Sequence, residues 1–324
     1  MSFLKPRKVE RNYDLLSGCA WYTPNVAGIF SVLAMFLVGM ILGMVLLLIL
    51  NSVLPGFPIC YSTLVVYPVQ FVPVLMYVRL KSQGNSTFDR GYALDSSHFA
   101  PKGGALTAIL AVLATLSISV ILDPLMARLP SMDENLVRTM EKMMEGPLWV
   151  SLLSMCVLAP VLEEWLCRGI VLRGLLNYSR KGEPGEDGNK RGMSPALAIA
   201  ISALFFAVIH GNLWQGVSAF TIGCFFGYAY YKTGSLKLTM LLHCANNTVS
   251  VVASKLPVFG DVTMSADANL CEIMPLTWFV LLFVASVAIL AVAVKVISGI
   301  KTASEQGNCD IIPSAEDLAD GKDL

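Results

Sequence analysis

Charged side chains are scarce in this chain. Only 14% of its 324 residues are Asp, Glu, Lys or Arg, whereas soluble proteins carry about 25%. The basic and acidic residues also cancel, 23 against 23, so the chain lacks the positive charge that nucleic-acid-binding proteins use, and we expect no nucleic-acid partner. With 55% apolar residues and a mean hydropathy of +0.65, the composition excludes a soluble globular domain and indicates a membrane protein.

The common metal-binding motifs are absent as well. The eight cysteines form no C-x-x-C pair, which excludes a zinc ribbon and gives no pattern typical of a disulfide framework. The H-E-x-x-H motif of zinc peptidases does not occur either. These absences favour a protein without a cofactor.

Long apolar runs dominate the sequence. About eight of them could cross a bilayer, for which about 20 apolar residues suffice. They are residues 27–50, 59–79, 104–126, 148–172, 195–210, 215–231, 236–253 and 274–298. The fifth and sixth runs are short, which leaves six or seven spans as an alternative. No cleavable signal peptide is expected, because the first run is long enough to span. The sequence predicts an all-α, polytopic membrane helix bundle with about eight transmembrane helices.

The positive charges predict an orientation. Lys and Arg concentrate before the first span and in alternate loops, with five between Arg173 and Arg191, whereas each remaining loop holds at most three. The positive-inside rule places both termini in the cytoplasm of a multi-pass protein in the cell membrane. We predict a cytoplasmic segment at 1–26, a membrane-embedded domain at 27–300 and a disordered, acidic cytoplasmic tail at 301–324.

The segment 131–146 has a different pattern from the spans. Ser131-x-x-Glu134 is a capping-box pattern, and apolar residues follow it at helical spacing. The segment predicts an amphipathic helix on the outer membrane interface. A plain connecting helix is the alternative.

Three polar clusters interrupt the apolar segments at apparent membrane depth. They are Glu163-Glu164-x-x-x-Arg168, Phe206-x-x-x-His210 and His243-x-x-x-Asn247. Ionisable residues inside a bilayer cost about 2.5–3.5 kcal/mol each on insertion scales, and those that occur are commonly functional. The clusters are therefore the candidate site.

The first cluster predicts a division of roles. Glu164 and Arg168 are four residues apart with the acid first, which is the favoured order for an ion pair on a helix. Glu163 lies about 100° around the helix with no cation nearby in sequence. A carboxylate without a partner in an apolar environment suits a general base. The alternative is one structural charge network of all three residues.

The histidine clusters lie on two further segments. His210 ends the fifth apolar run, where an interfacial hydrogen-bonding role is the alternative to catalysis. His243 and Asn247 share one helix face, and together they can donate two hydrogen bonds to one point, as an oxyanion requires. Their alternative role is to join neighbouring helices by hydrogen bonds. Asn246 could take the place of Asn247.

These motifs resemble the CPBP family of membrane enzymes, which includes CAAX proteases and bacteriocin-processing (Abi) proteins. The resemblance covers roughly 148–253. It lies in Ala159-Pro160 before Glu163-Glu164 with Arg168-Gly169, in Ser202-Ala203-Leu204-Phe205-Phe206 before His210, and in Gly227-Tyr228 and Lys232-Thr233-Gly234-Ser235-Leu236 before His243 and Asn247. One departure is Cys167, where the family usually carries Phe, and we expect this side chain to pack rather than react.

The resemblance implies an α-helical intramembrane endopeptidase. In the family picture Glu163 and His210 activate water, His243 and Asn247 stabilise the oxyanion, and Glu164 and Arg168 have supporting roles. The implied partners are membrane lipid and a protein or peptide substrate: a prenylated CAAX protein, a leader-bearing peptide or a membrane-anchored regulator.

Two questions stay open at this stage. Glu163, His210 and His243 could instead bind zinc, but one Glu does not easily serve as both ligand and base, and we favour a metal-free glutamate mechanism. The alternative functions are a non-catalytic membrane scaffold or bacteriocin-immunity protein, and a transporter that uses the ionisable groups as a relay.

Overall fold

The protein is a polytopic helical bundle. The computed structural model describes residue 22 and residues 24–84, 95, 104–180, 193–255 and 269–300, and in these ranges it contains no strand. Most of the predicted N-terminal segment and the whole predicted tail lie outside the described residues. The helices in chain order are α1 (Val26–Val53), α2 (Ile59–Gly84), α3 (Gly104–Met126), α4 (Glu134–Met144), α5 (Leu148–Ser151), α6 (Ala159–Glu164), α7 (Arg173–Arg180), α8 (Pro195–Ile209), α9 (Leu213–Thr233), α10 (Leu236–Lys255), α11 (Leu270–Ile273) and α12 (Leu276–Ser298).

Five helical stretches of the described chain are long and apolar enough to cross a membrane. They are Val26–Val53, Ile59–Ser82, Gly104–Met126, Leu148–Leu176 and Leu276–Ser298. The apolar helix α8 is shorter, and α9 and α10 reach a sufficient length but carry more polar side chains. The predicted multi-pass architecture is confirmed, whereas the predicted count of eight spans is not.

The fourth span is one continuous helix with two π-helical segments. Segment π1 (Leu152–Leu158) joins α5 to α6, and segment π2 (Trp165–Leu172) joins α6 to α7. π-Helical turns within helices are frequent at functional sites. The short α6 between them ends in the two adjacent glutamates, Glu163 and Glu164.

The neighbouring helices surround this span on several sides. α2, α8, α9 and α10 all contact parts of it. From Trp165 to Leu176 every side chain is buried, whereas most of the residues from Leu152 to Leu162 are partly exposed. The glutamates therefore lie where a densely packed half of the span meets a more open half.

The predicted helix within 131–146 is present, but its cap differs from the prediction. α4 begins at Glu134, and the residue that caps it is Asp133, whose carboxylate accepts from the backbone N–H groups of Asn135 and Leu136 at 2.9 and 3.3 Å. The capping box expected from Ser131 is therefore wrong, because Asp133, directly before the helix, binds the first free N–H groups. No residue of α4 is fully buried.

Candidate functional site

Glu163 is the centre of the polar cluster. The residue is only 8% exposed. Its Oε1 accepts a hydrogen bond from the Tyr67 hydroxyl on α2, whereas its Oε2 is buried and has no hydrogen-bond partner among the described residues. Oε2 lies 3.9 Å from His210 Nε2 and 3.9 Å from His243 Nε2. The structure thus brings together three side chains that the sequence places far apart.

The hydrogen bonds of His210 fix which nitrogen faces Glu163. Its Nδ1 lies 2.7 Å from the backbone carbonyl of Phe206, one turn earlier. A carbonyl oxygen only accepts, so Nδ1 carries a proton and donates it. In the neutral imidazole Nε2 is then an acceptor aimed at Glu163 Oε2.

Glu164 fixes His243 in the same way. Glu164 Oε1 lies 3.0 Å from His243 Nδ1 and accepts from Arg168 Nη1 at 2.8 Å. A carboxylate that also accepts from a guanidinium has no proton to give, so His243 Nδ1 is the donor. His243 Nε2 therefore also turns towards Glu163. The side chains of Glu164 and Arg168 are both 0% exposed, which agrees with the ion pair expected from their spacing.

Two aromatic rings enclose the Arg168 guanidinium. Its central carbon lies 4.6 Å from the ring centre of Phe206 and 5.4 Å from that of Phe226, and its Nη2 donates to the Gly223 carbonyl at 3.0 Å. Phe206 also contacts both histidine rings edge-to-face, at 4.8 Å from His210 and 5.5 Å from His243. Phe206 thus spaces the two imidazoles and shields the cation behind them.

Asn247 lies one turn after His243 on α10, and its amide is engaged elsewhere. Asn247 Nδ2 donates to the Met155 carbonyl in π1 at 2.8 Å. Its neighbour Asn246 accepts from Ser119 on α3 at 2.9 Å. Both asparagines therefore join helices, which for Asn247 was the expected alternative to an oxyanion role.

Cys167 packs into the core, as expected for the position at which the resembling family usually carries Phe. Its side chain is 0% exposed, and its backbone carbonyl accepts from Ser202 on α8 at 2.8 Å. This bond ties α8 to the glutamate-bearing span at the level of the site.

Tyr67 is the site residue that sequence reasoning missed. It belongs to no motif and lies 96 positions before Glu163. The only sequence signal is a hydroxyl-bearing ring inside an apolar span, and many structural tyrosines give the same signal.

The arrangement also bears on the zinc alternative. Zinc ligands at about 2.0–2.2 Å in a tetrahedron lie about 3.4 Å apart, which is shorter than the two 3.9 Å separations at Glu163 Oε2. Among the described residues no group of three or more His, Cys, Asp and Glu side chains is arranged to hold a metal ion. The metal-free mechanism stays a prediction, which chelator sensitivity tests.

Comparison with known families agrees with the resemblance that the motifs carry. Residues 145–249 match the family model described as type II CAAX prenyl endopeptidase Rce1-like. This range contains Glu163, Glu164, Arg168, His210, His243 and Asn247. No curated protein and no solved structure matches the chain. The match supports a CAAX-type intramembrane endopeptidase in general terms and, with the five apolar spans, a multi-pass membrane protein that acts on a protein or peptide.

Proposed function

We propose that this protein is a glutamate-type intramembrane peptidase in which Glu163 and His210 activate water. The observation that carries the proposal is the buried, unpartnered Oε2 of Glu163, which faces two imidazole Nε2 atoms at 3.9 Å each. These gaps are too long for direct hydrogen bonds, and a water oxygen can bridge them. Such a water would contact a carboxylate base and an imidazole acceptor at once.

The proposed reaction moves one proton through Glu163. Glu163 Oε2 takes a proton from the bound water while His210 Nε2 orients it, and the hydroxide oxygen bonds to the carbonyl carbon of the substrate peptide. The peptide C–N bond of the tetrahedral intermediate then breaks as Glu163 returns the proton to the leaving nitrogen. The products are a carboxylic acid and an amine.

His243 is the proposed oxyanion donor. Its Nδ1 is held by Glu164, so a proton on Nε2 would make it an imidazolium that can donate to the oxyanion. Charges then balance locally, because the anions Glu163 and Glu164 face the cations Arg168 and His243. Asn247 supplies a second donor through the amide N–H that does not bond to Met155.

The membrane setting supports a membrane-associated substrate. Large apolar side chains are exposed along the spans, among them Phe30 at 69% and Leu48 at 62%, and we infer that they contact lipid. The proposed substrates are a prenylated CAAX protein, a leader-bearing peptide or a membrane-anchored regulator, because each presents its cleavage site close to the bilayer.

The experiment compares the wild-type protein with a Glu163→Gln variant, both reconstituted in lipid vesicles. Each is given a quenched prenylated CAAX peptide and a library of leader and membrane peptides, with and without a chelator. We expect Glu163→Gln to insert and fold but to lose cleavage, and wild-type cleavage to persist with chelator. Glu134→Gln, an exposed acid on α4, is the matched control.

Each other outcome has a definite meaning. Full activity in Glu163→Gln would refute the proposed role of Glu163, and loss of wild-type activity with chelator would move the mechanism to a metal. If the wild type cleaves none of these peptides, a non-catalytic scaffold or immunity protein becomes the better description.

A further inference from the structure

Tyr67 reaches the site from outside the segment that matches the peptidase family. It lies on α2, whereas the match begins at residue 145. Its hydroxyl donates to Glu163 Oε1, so one carboxylate oxygen is held while the other is left for the two imidazoles. Among the described residues, Tyr67 makes the hydrogen bond that reaches the Glu163 side chain from another helix.

The Tyr67 ring is itself held in place. It packs against Phe71, one turn later on α2, with ring centres 5.4 Å apart. Phe71 is fully buried and packs edge-to-face against Phe36 of α1, also at 5.4 Å. The ring thus belongs to an aromatic stack that spans both N-terminal helices.

The backbone of α2 is equally constrained beside Tyr67. Gly39 of α1 faces Gln70, three residues after Tyr67, so closely that an added Cβ would lie 1.8 Å from the Gln70 carbonyl oxygen. Small residues in membrane helices permit this kind of close backbone approach. The position of α1 therefore sets the height and rotation of the α2 turn that carries Tyr67.

We propose that Tyr67 is a positioning residue for Glu163, and that α1 and α2 complete the site by presenting it. A carboxylate can rotate about its last side-chain bond, and Glu163 Oε2 has no hydrogen-bond partner among the described residues to oppose that rotation. The Tyr67 hydrogen bond fixes Oε1 and thereby aims Oε2 at His210 and His243. Preorganisation of this kind lowers the barrier without contact to the substrate. The inference rests on the proposed role of Glu163.

The first test is Tyr67→Phe, which removes one hydroxyl and keeps the ring. Hydrogen bonds to charged groups contribute about 1.5–3 kcal/mol, which corresponds to a fall in kcat of about 10- to 150-fold. We expect KM to change little, because the ring and its packing against Phe71 remain, and kcat is compared under conditions in which both proteins are fully folded. Tyr61→Phe is the matched control, because Tyr61 lies on the same helix and packs against Phe57 and Trp149. Unchanged kcat in Tyr67→Phe, a loss in KM alone, or an equal loss in the control would overturn the proposal.

A double-mutant cycle separates positioning from a merely structural role. Glu163→Asp shortens the acid by one methylene group, which takes it out of reach of Tyr67 but leaves a carboxylate in the site. If Tyr67 acts through Glu163, adding Tyr67→Phe to Glu163→Asp should cause little further loss of kcat. Losses that multiply would show that Tyr67 acts independently of Glu163. An inactive Glu163→Gln with a fully active Tyr67→Phe would refute this inference alone, whereas an active Glu163→Gln would refute the proposed function itself.

A pair of glycine variants tests the contribution of α1. Gly39→Ala must displace the α2 backbone, whereas the Cβ in Gly43→Ala would meet only the side chain of Gln70, nearest at 2.6 Å from Cγ. We expect the first variant to lower kcat more than the second, and to add little loss in a Tyr67→Phe background. An equal effect of the two glycines on kcat would contradict the role assigned to α1.

Discussion

The buried ion pair behind His243 offers the most quantitative test of the site. Glu164 and Arg168 are both 0% exposed and joined at 2.8 Å. Glu164→Gln would keep an acceptor for His243 Nδ1 but would leave the Arg168 guanidinium buried without a counter-ion. Breaking a buried pair by removing one partner costs about 3–5 kcal/mol of folding stability, so we expect Glu164→Gln to lower stability by that amount.

The double variant Glu164→Gln/Arg168→Met should be more stable than Glu164→Gln alone. Removing both charges removes the unpaired cation, and methionine fills much of the space between Phe206 and Phe226. The remaining cost is the lost hydrogen bond from Arg168 to the Gly223 carbonyl within α9, about 1–3 kcal/mol. We expect the double variant to lose about 1–3 kcal/mol.

The assay is reversible unfolding in mixed detergent micelles by titration with a denaturing detergent, followed by far-UV circular dichroism. Peptidase activity is measured in parallel, because both variants replace the carboxylate that holds His243 Nδ1 and should lower activity. A double variant that loses as much stability as the single variants Glu164→Gln and Arg168→Met together would refute the assignment of a coupled buried pair.

Further predictions address packing, capping and orientation. Gly223→Ala should lower activity and should lower stability by about 1–3 kcal/mol through overpacking, because its Cβ would lie 3.2 Å from Arg168 Nη2 and from Phe206 Cδ1. Gly216→Ala is the control on the same helix, since its Cβ would meet only the Ala207 carbonyl oxygen at 3.6 Å. Equal thermal midpoints of the two variants would contradict this account. Asp133→Ala should destabilise α4 by about 1 kcal/mol through loss of its cap. Site-resolved hydrogen exchange should show that the amides of α4 exchange faster in Asp133→Ala than in Ser131→Ala. Tags at both termini should be shielded from a membrane-impermeant label applied outside intact cells, whereas outside labelling of either tag would contradict the orientation predicted from the basic loops.

Local features of the site could be predicted because they depend on spacing along one helix. The i, i+4 rule predicted the ion pair of Glu164 with Arg168 without reference to the tertiary structure. Spacing within a helix is fixed by the backbone, so such pairs require no knowledge of neighbouring helices.

Contacts between helices could not be predicted in this way. The bond from His243 to Glu164 joins residues 79 positions apart, and that from Tyr67 to Glu163 joins residues 96 apart. The sequence pattern paired His243 with Asn247 on one helix face, and the structure shows that Asn247 also bonds to Met155 in the π-helical segment of another span. Which partner each side chain meets depends on helix rotation and on where a helix departs from the regular 3.6-residue turn.

The sequence alone determined that this is a helical membrane protein, because the length of an apolar run is a property of a single chain segment. The resemblance of its motifs to a known family implied a peptidase-like set of polar residues. Only the tertiary structure decided how those residues are arranged. It turned both Nε2 atoms towards one oxygen of Glu163, placed Glu164 behind His243, and brought Tyr67 from a span outside the motifs. The physical reason is that the direction in which a buried polar group points is set by hydrogen bonds and close packing between helices, and these exist only once the bundle has formed.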